Sequence, residues 1–150
     1  MKKRIIIFLM AVIAAVSFSA VAVSGNQKSK TTNKTVVAQS HPVQVIYFHS
    51  KQRCLTCMAI ERETKALVEG ELASLVKSGK VSFKVVDISR GSGQKLAAKY
   101  RVTFSSLFIV TNGEKGEKVE DLTRFAFGNA RNNAEKFRSE VKAKVMKAIK

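Results

Sequence analysis

Val43-Gln44-Val45-Ile46-Tyr47-Phe48-His49-Ser50-Lys51-Gln52-Arg53-Cys54-Leu55-Thr56-Cys57 is the stretch from which the fold can be read. Its first six residues are dense in β-branched and aromatic side chains, which predicts a buried strand. Ser50 to Arg53 is a polar loop. A helix is expected from about Cys54 to Lys77, because Ile60, Leu67, Val68, Leu72, Leu75 and Val76 recur at spacings of three and four. Gly70 lies inside that pattern and is expected to kink or divide it, and Gly79 to end it. Two cysteines thus stand between a buried strand and the start of a helix.

Downstream, Val81 to Ile88 reads as a second strand and Gln94 to Tyr100 as a short helix. Leu107 to Val110 is a third, buried strand. Thr111-Asn112-Gly113-Glu114 is a hairpin signal. It predicts that Val119 to Phe127 forms a fourth strand antiparallel to the third. Asn129 to Lys150 is expected to be a terminal helix, with Phe137, Val141, Val145 and Ile149 as its apolar stripe. Lys136, Arg138, Lys142, Lys144 and Lys147 take much of the remaining surface. The order β-α-β-α-β-β-α predicts an α/β domain: a mixed sheet flanked by helices on both faces.

Upstream, Met1-Lys2-Lys3-Arg4 is a cationic start, Ile5 to Val16 an unbroken apolar run, and Ala20-Val21-Ala22 a small-x-small site. This is the grammar of a signal peptide over residues 1–22, cleaved after Ala22. The competing reading is an uncleaved membrane anchor, since Ile5 to Val23 is 19 residues, near the ~20 that span a bilayer. Either reading places the rest in the periplasm, in the cell envelope or outside the cell. Residues 23–40, polar and rich in Ser, Thr, Asn, Gln and Lys, read as a flexible linker. The folded domain is expected over residues 41–150. The chain is basic, with 27 Lys and Arg against 11 Asp and Glu and a net charge of +16. Loss of Lys2, Lys3 and Arg4 with the signal leaves +13. Export, and the lack of any zinc-finger, helix-turn-helix or RNA-binding motif, argue against nucleic acid as the partner. The charge reads as a solvated basic surface, the alternative being attraction to acidic partners or to an anionic membrane face.

Cys54 and Cys57 are the whole cysteine inventory. A bridge between them closes a very short loop and removes little unfolded-state entropy, so stability is a poor reason for the pair. Thiol–disulfide exchange needs an attacking thiolate and a second thiol to resolve the mixed disulfide. A pair at a helix start supplies both. The helix N-terminus favours an anion at Cys54, and Arg53, with Lys51, adds positive charge. Cys54 is therefore the candidate nucleophile and Cys57 the candidate resolving thiol. His49, at the end of the strand, is a candidate for tuning the thiolate or moving a proton. Glu61 lies one turn after Cys57. It can act as an acid near the pair, or simply pair with Lys65 at the i+4 spacing. No cofactor is implied. The alternative is a non-enzymatic binding protein. It would hold a soft metal or metalloid ion on Cys54 and Cys57, with Met58 adjoining, or a protein partner. His41 reads as a solvated residue at the linker end.

Three segments together resemble the thioredoxin-like superfamily. They are Val45-Ile46-Tyr47-Phe48 through Cys57, then Lys84-Val85-Val86-Asp87-Ile88 with Leu96 to Val102, then Leu107-Phe108-Ile109-Val110 with Asn112-Gly113 and Glu117-Lys118-Val119. The resemblance implies a thioredoxin-like mixed sheet and a redox-active CxxC. Its partners would be protein or small-molecule disulfides and thiols, and a redox partner protein. Arg53-Cys54-Leu55-Thr56-Cys57 with Ile60-Glu61 also resembles a group of small exported bacterial proteins labelled as a nitroreductase subunit family; no reaction is read from that label. The chain departs from the thioredoxin pattern in three places. Arg53 stands where Trp precedes the first cysteine, Leu55-Thr56 replaces Gly-Pro, and Ser105 or Ser106 stands where the family has a cis-proline. The resemblance places Ser105 and Ser106 opposite the cysteine pair, as substrate-facing candidates. The acid that assists the second cysteine in the family comes from the first strand, and here that strand has no Asp or Glu.

Overall fold

The strand β1 (Val43–His49) runs through the middle of the sheet and is buried on both sides. A computed structural model describes residues 42–150. The targeting segment and linker read at residues 1–40, and His41, lie outside the described residues. Alternation along β1 sorts its side chains into two cores. Val43, Val45 and Tyr47 face one way and Ile46 and Phe48 the other.

The sheet order is β2-β1-β3-β4, with β2 (Val81–Asp87), β3 (Ser106–Gly113) and β4 (Gly116–Asp121). β2 runs parallel to β1, with Val45 opposite Phe83. β3 runs antiparallel to β1, with Val45 opposite Ile109, and β4 antiparallel to β3. The helices are α1 (Leu55–Glu69), α2 (Ala73–Lys77), α3 (Gly91–Tyr100), α4 (Thr123–Asn129) and α5 (Ala134–Ile149). The larger core lies between one sheet face and α1, α4 and α5. There Ile60, Leu67, Ala126, Phe137, Val141 and Val145 pack on Tyr47, Leu107 and Ile109. The smaller core lies under α3, where Ala97 and Val102 meet Phe48, Val86 and Phe108. This is the mixed sheet with helices on both faces that the sequence predicts.

The expected long first helix is divided at Gly70, which caps α1, and α2 follows. α3 begins three residues earlier than the periodicity suggests. Gly93 makes this close start feasible: a Cβ there would meet the Asp87 carbonyl oxygen at 2.0 Å. The hairpin turn is Glu114-Lys115, two residues beyond the Asn-Gly signal, because Gly116 rather than Asn112 takes the positive φ, at 96°.

The expectation of a strand from Val119 to Phe127 is corrected. β4 ends at Asp121 and the chain enters α4. Leu122 N–H donates to the Leu107 carbonyl, the Asp121 carboxylate accepts the Thr123 N–H at 2.8 Å, and the Thr123 hydroxyl accepts the Leu107 N–H. Buried Leu122, Ala126 and Ala130 recur every four residues, which is helical spacing. The terminal helix therefore starts at Ala134, not Asn129. Asn133 accepts the first helical bond, from Phe137.

Lys99 Nζ and the Tyr100 hydroxyl both donate to Glu117, at 2.9 and 2.7 Å, and tie α3 to β4. The lysine contact is the main reason that the Glu117 carboxyl is held below its ordinary value. A carboxylate lowered in the folded state stabilises above its ordinary pKa and stops doing so as pH falls through the lowered value. Glu117→Gln should therefore lose stability relative to the parent at neutral pH. The difference should shrink on acidification below about pH 5, read as thermal midpoints across a pH series. Phe137→Ala, which empties a fully buried site between sheet and α5, should cost about 3–5 kcal/mol in denaturant unfolding.

Candidate active site around Cys54 and Cys57

β1 carries the chain to the edge of the larger core, the loop 50–53 turns it, and Cys54 becomes the N-cap of α1. The Cys54 backbone is extended, with φ −77° and ψ 162°. Its Sγ takes the place of the usual cap oxygen and accepts the Cys57 N–H at 3.0 Å. A sulfur so placed meets one of the unpaired donors of the helix end and its positive dipole. Cys54 and Cys57 are joined in a disulfide, their Cα atoms 5.0 Å apart. Cys54 is exposed and Cys57 is buried.

The disulfide opens onto a shallow depression of about 430 Å³ whose other walls are Ser50, Gln52, Arg53, Phe104, Ser105 and Phe127. Ser105 thus faces the pair, on a buried turn just before β3. Ser106 does not: it is the first residue of β3, and its hydroxyl donates to the Phe104 carbonyl at 3.0 Å. All peptide bonds among the described residues are trans. Phe104 and Phe127 are exposed apolar side chains, 59% and 38% accessible, and sequence reading did not single them out. An exposed Phe beside the serine pair was a signal for the first. The second was hidden because its segment read as a strand.

Tyr47 was also passed over as a core residue. It is fully buried, and its hydroxyl donates to the Cys57 carbonyl at 2.7 Å. Burial raises its pKa, against the pull of Arg53 and of the Ser105 hydroxyl. It therefore serves as a hydrogen-bond donor throughout the physiological range. His49 stacks on Tyr47 with ring centroids 6.1 Å apart, and its Nδ1 lies 3.1 Å from the Ser50 carbonyl. It does not line the depression.

Arg53 lies in the depression wall, its guanidinium 6.0 Å from the centre of the Tyr47 ring. Its ion-pair partner is Glu61. Burial works to lower the Arg53 pKa, but Glu61 and Tyr47 outweigh it and the net shift is upward. Glu61 is therefore not paired with Lys65, whose partner is Glu69 at 3.7 Å. Glu63, further along α1, is buried and held between Arg62 and Arg138 of α5. Lys51 is exposed and outside the depression. Among the described residues no group of three or more His, Cys, Asp and Glu gathers as a metal site. No helix among them is long and apolar enough to cross a membrane.

No family model matches the chain, and no curated protein does. Among solved structures it is similar to a thioredoxin of Fasciola hepatica, with 22% identity and a TM-score of 0.47 over 73% of this chain and 88% of that one. It is also similar to the Trx4 domain of ERdj5, with 16% identity and a TM-score of 0.47 over 71% and 82%. A thioredoxin from Thermus thermophilus gives 20% identity and a TM-score of 0.44 over 74% and 82%.

Tyr47→Phe removes only the hydroxyl that ties β1 to the first turn of α1. It should lower unfolding stability by about 1 kcal/mol and leave the disulfide formed. Denaturant titration of the oxidised chain, with thiol counting, measures both.

Proposed function

We propose that this chain is an exported thiol–disulfide oxidoreductase in which Cys54 is the nucleophile and Cys57 the resolving thiol. The observation that carries the reading is the cap at α1: an exposed Cys54 sulfur accepting the Cys57 N–H, bonded to a buried Cys57. In the reduced chain the Cys54 thiolate attacks one sulfur of a substrate disulfide. A Cys54–substrate bond forms and the second substrate sulfur leaves as a thiolate. Cys57 then loses its proton, and its sulfur attacks Cys54 Sγ. The Cys54–Cys57 bond re-forms, the first substrate sulfur leaves, and two electrons have passed to the substrate. A redox partner protein returns the pair to the dithiol. In a net oxidising direction the same steps run in reverse.

Substrates are protein or small-molecule disulfides and thiols, met in the periplasm, the cell envelope or outside the cell after export through residues 1–22. If that segment is retained, residues 5–23 anchor the domain to the membrane. The likeness of Arg53 to Cys57 and Ile60-Glu61 to the group labelled as a nitroreductase subunit enters this reading only as a likeness to small exported CxxC proteins. Ser105 and the exposed rings of Phe104 and Phe127 border the path by which a substrate reaches Cys54.

Insulin reduction driven by dithiothreitol tests the roles. Cys54→Ser should fall to the uncatalysed rate. Cys57→Ser should accumulate a mixed disulfide through Cys54, visible as added mass that a reductant removes. Two variants that both behave like the parent would overturn the proposal.

A further inference from the structure

Among the described residues Arg53 is the one charged side chain lining the depression around Cys54, yet its charge is already engaged. We infer that Glu61 is a positioning residue for the redox pair: it holds the Arg53 guanidinium on itself, so that a Cys54 thiolate is stabilised by the helix terminus with little help from the arginine. The inference deepens the oxidoreductase reading and rests on it for its functional meaning.

Three observations carry it. Arg53 immediately precedes the N-cap sulfur and shares the depression with it. Its ion pair is made with Glu61, while its Nε–H is buried and makes no hydrogen bond. An arginine so held keeps a donor to spare and a long stem on which to turn. Glu61 itself stands seven residues beyond Cys54, roughly 10 Å along a helix. At that separation the direct effect of a partly exposed carboxylate on the sulfur is largely screened. Its leverage on Cys54 must run through Arg53.

The remaining surroundings support this simple picture. Across the depression, the turn before β3 and α4 contribute Phe104, Ser105 and Phe127, none of them charged. On β1 the titratable neighbours are Tyr47, which stays protonated, and His49, which lies outside the depression. On α1, Arg62 pairs with Glu63 and Lys65 with Glu69. Lys51 is exposed to solvent.

The test is a pH titration of the ultraviolet thiolate absorbance in the full chain carrying Cys57→Ser, kept reduced so that Cys54 alone titrates. Glu61→Gln should release Arg53 toward the sulfur and lower the Cys54 midpoint by about one pH unit. Arg53→Gln alone should move it by less than about a third of that. Added to Glu61→Gln, it should return the midpoint by about the full unit. An unchanged midpoint in Glu61→Gln overturns the inference. So does an equal drop with and without Arg53, which would show Glu61 acting directly. If Glu61→Gln fails to fold, the small effect of Arg53→Gln in the presence of Glu61 remains diagnostic, and a large rise there overturns the inference. The titration needs no turnover, so its outcome is separate from that of the exchange assay. With both cysteines present, the Glu61→Gln couple should also be the more oxidising, read by equilibration with glutathione.

Discussion

The Tyr47 hydroxyl bonded to the Cys57 carbonyl is the contact on which the arrangement of the site depends. A helix start is an ill-anchored thing, with donors unpaired and few neighbours. Here its first turn is fastened from below by a side chain of the most deeply buried strand. β1 is packed on both faces and paired on both edges, so it is the least movable element of the molecule. The sheet holds the cysteine pair through this hydroxyl together with the packing of Ala59 and Ile60 on the same core. Loops turn and cap around that anchor, but the buried cysteine is referenced to the core.

This contact also sets what lies beneath the cysteine pair. β1 carries no acid, and the side chain bonded to the Cys57 carbonyl is a phenol that remains protonated. The charge lies instead on the rim, in the Arg53–Glu61 pair. The medium beneath the pair is thus neutral and hydrogen-bonding, and the medium beside it is ionic.

Much of this was legible in sequence. The β-branched run in β1, the three-four periodicity of α1, and two cysteines at their junction are local signals, and each survives in the fold. The failures were cases where a distant partner decides. Residues 119–127 carry strand-like side chains at Val119, Phe125 and Phe127. Yet the bonds between Leu122, Thr123 and Leu107 turn the chain out of the sheet, and the Leu122–Ala126–Ala130 stripe finds its burial as a helix. Misreading that segment concealed Phe127 as a neighbour of Cys54. The pairing of Arg53 with Glu61 was equally hidden. Spacing rules for helices assign Glu61 to Lys65, and Arg53 precedes the helix, so its reach is set by the loop. Tyr47 looked like any aromatic in a buried strand until its hydroxyl had a partner.

The sheet order has one more consequence. Its two outer strands differ: β4 is charged along most of its length, at Glu117, Lys118, Glu120 and Asp121, whereas β2 carries only Lys84 and Asp87 among mostly apolar residues. A foreign strand laid against β4 would have to desolvate those side chains to gain its backbone bonds. The β4 margin is thereby guarded against growth of the sheet by the cost of stripping water from its charges.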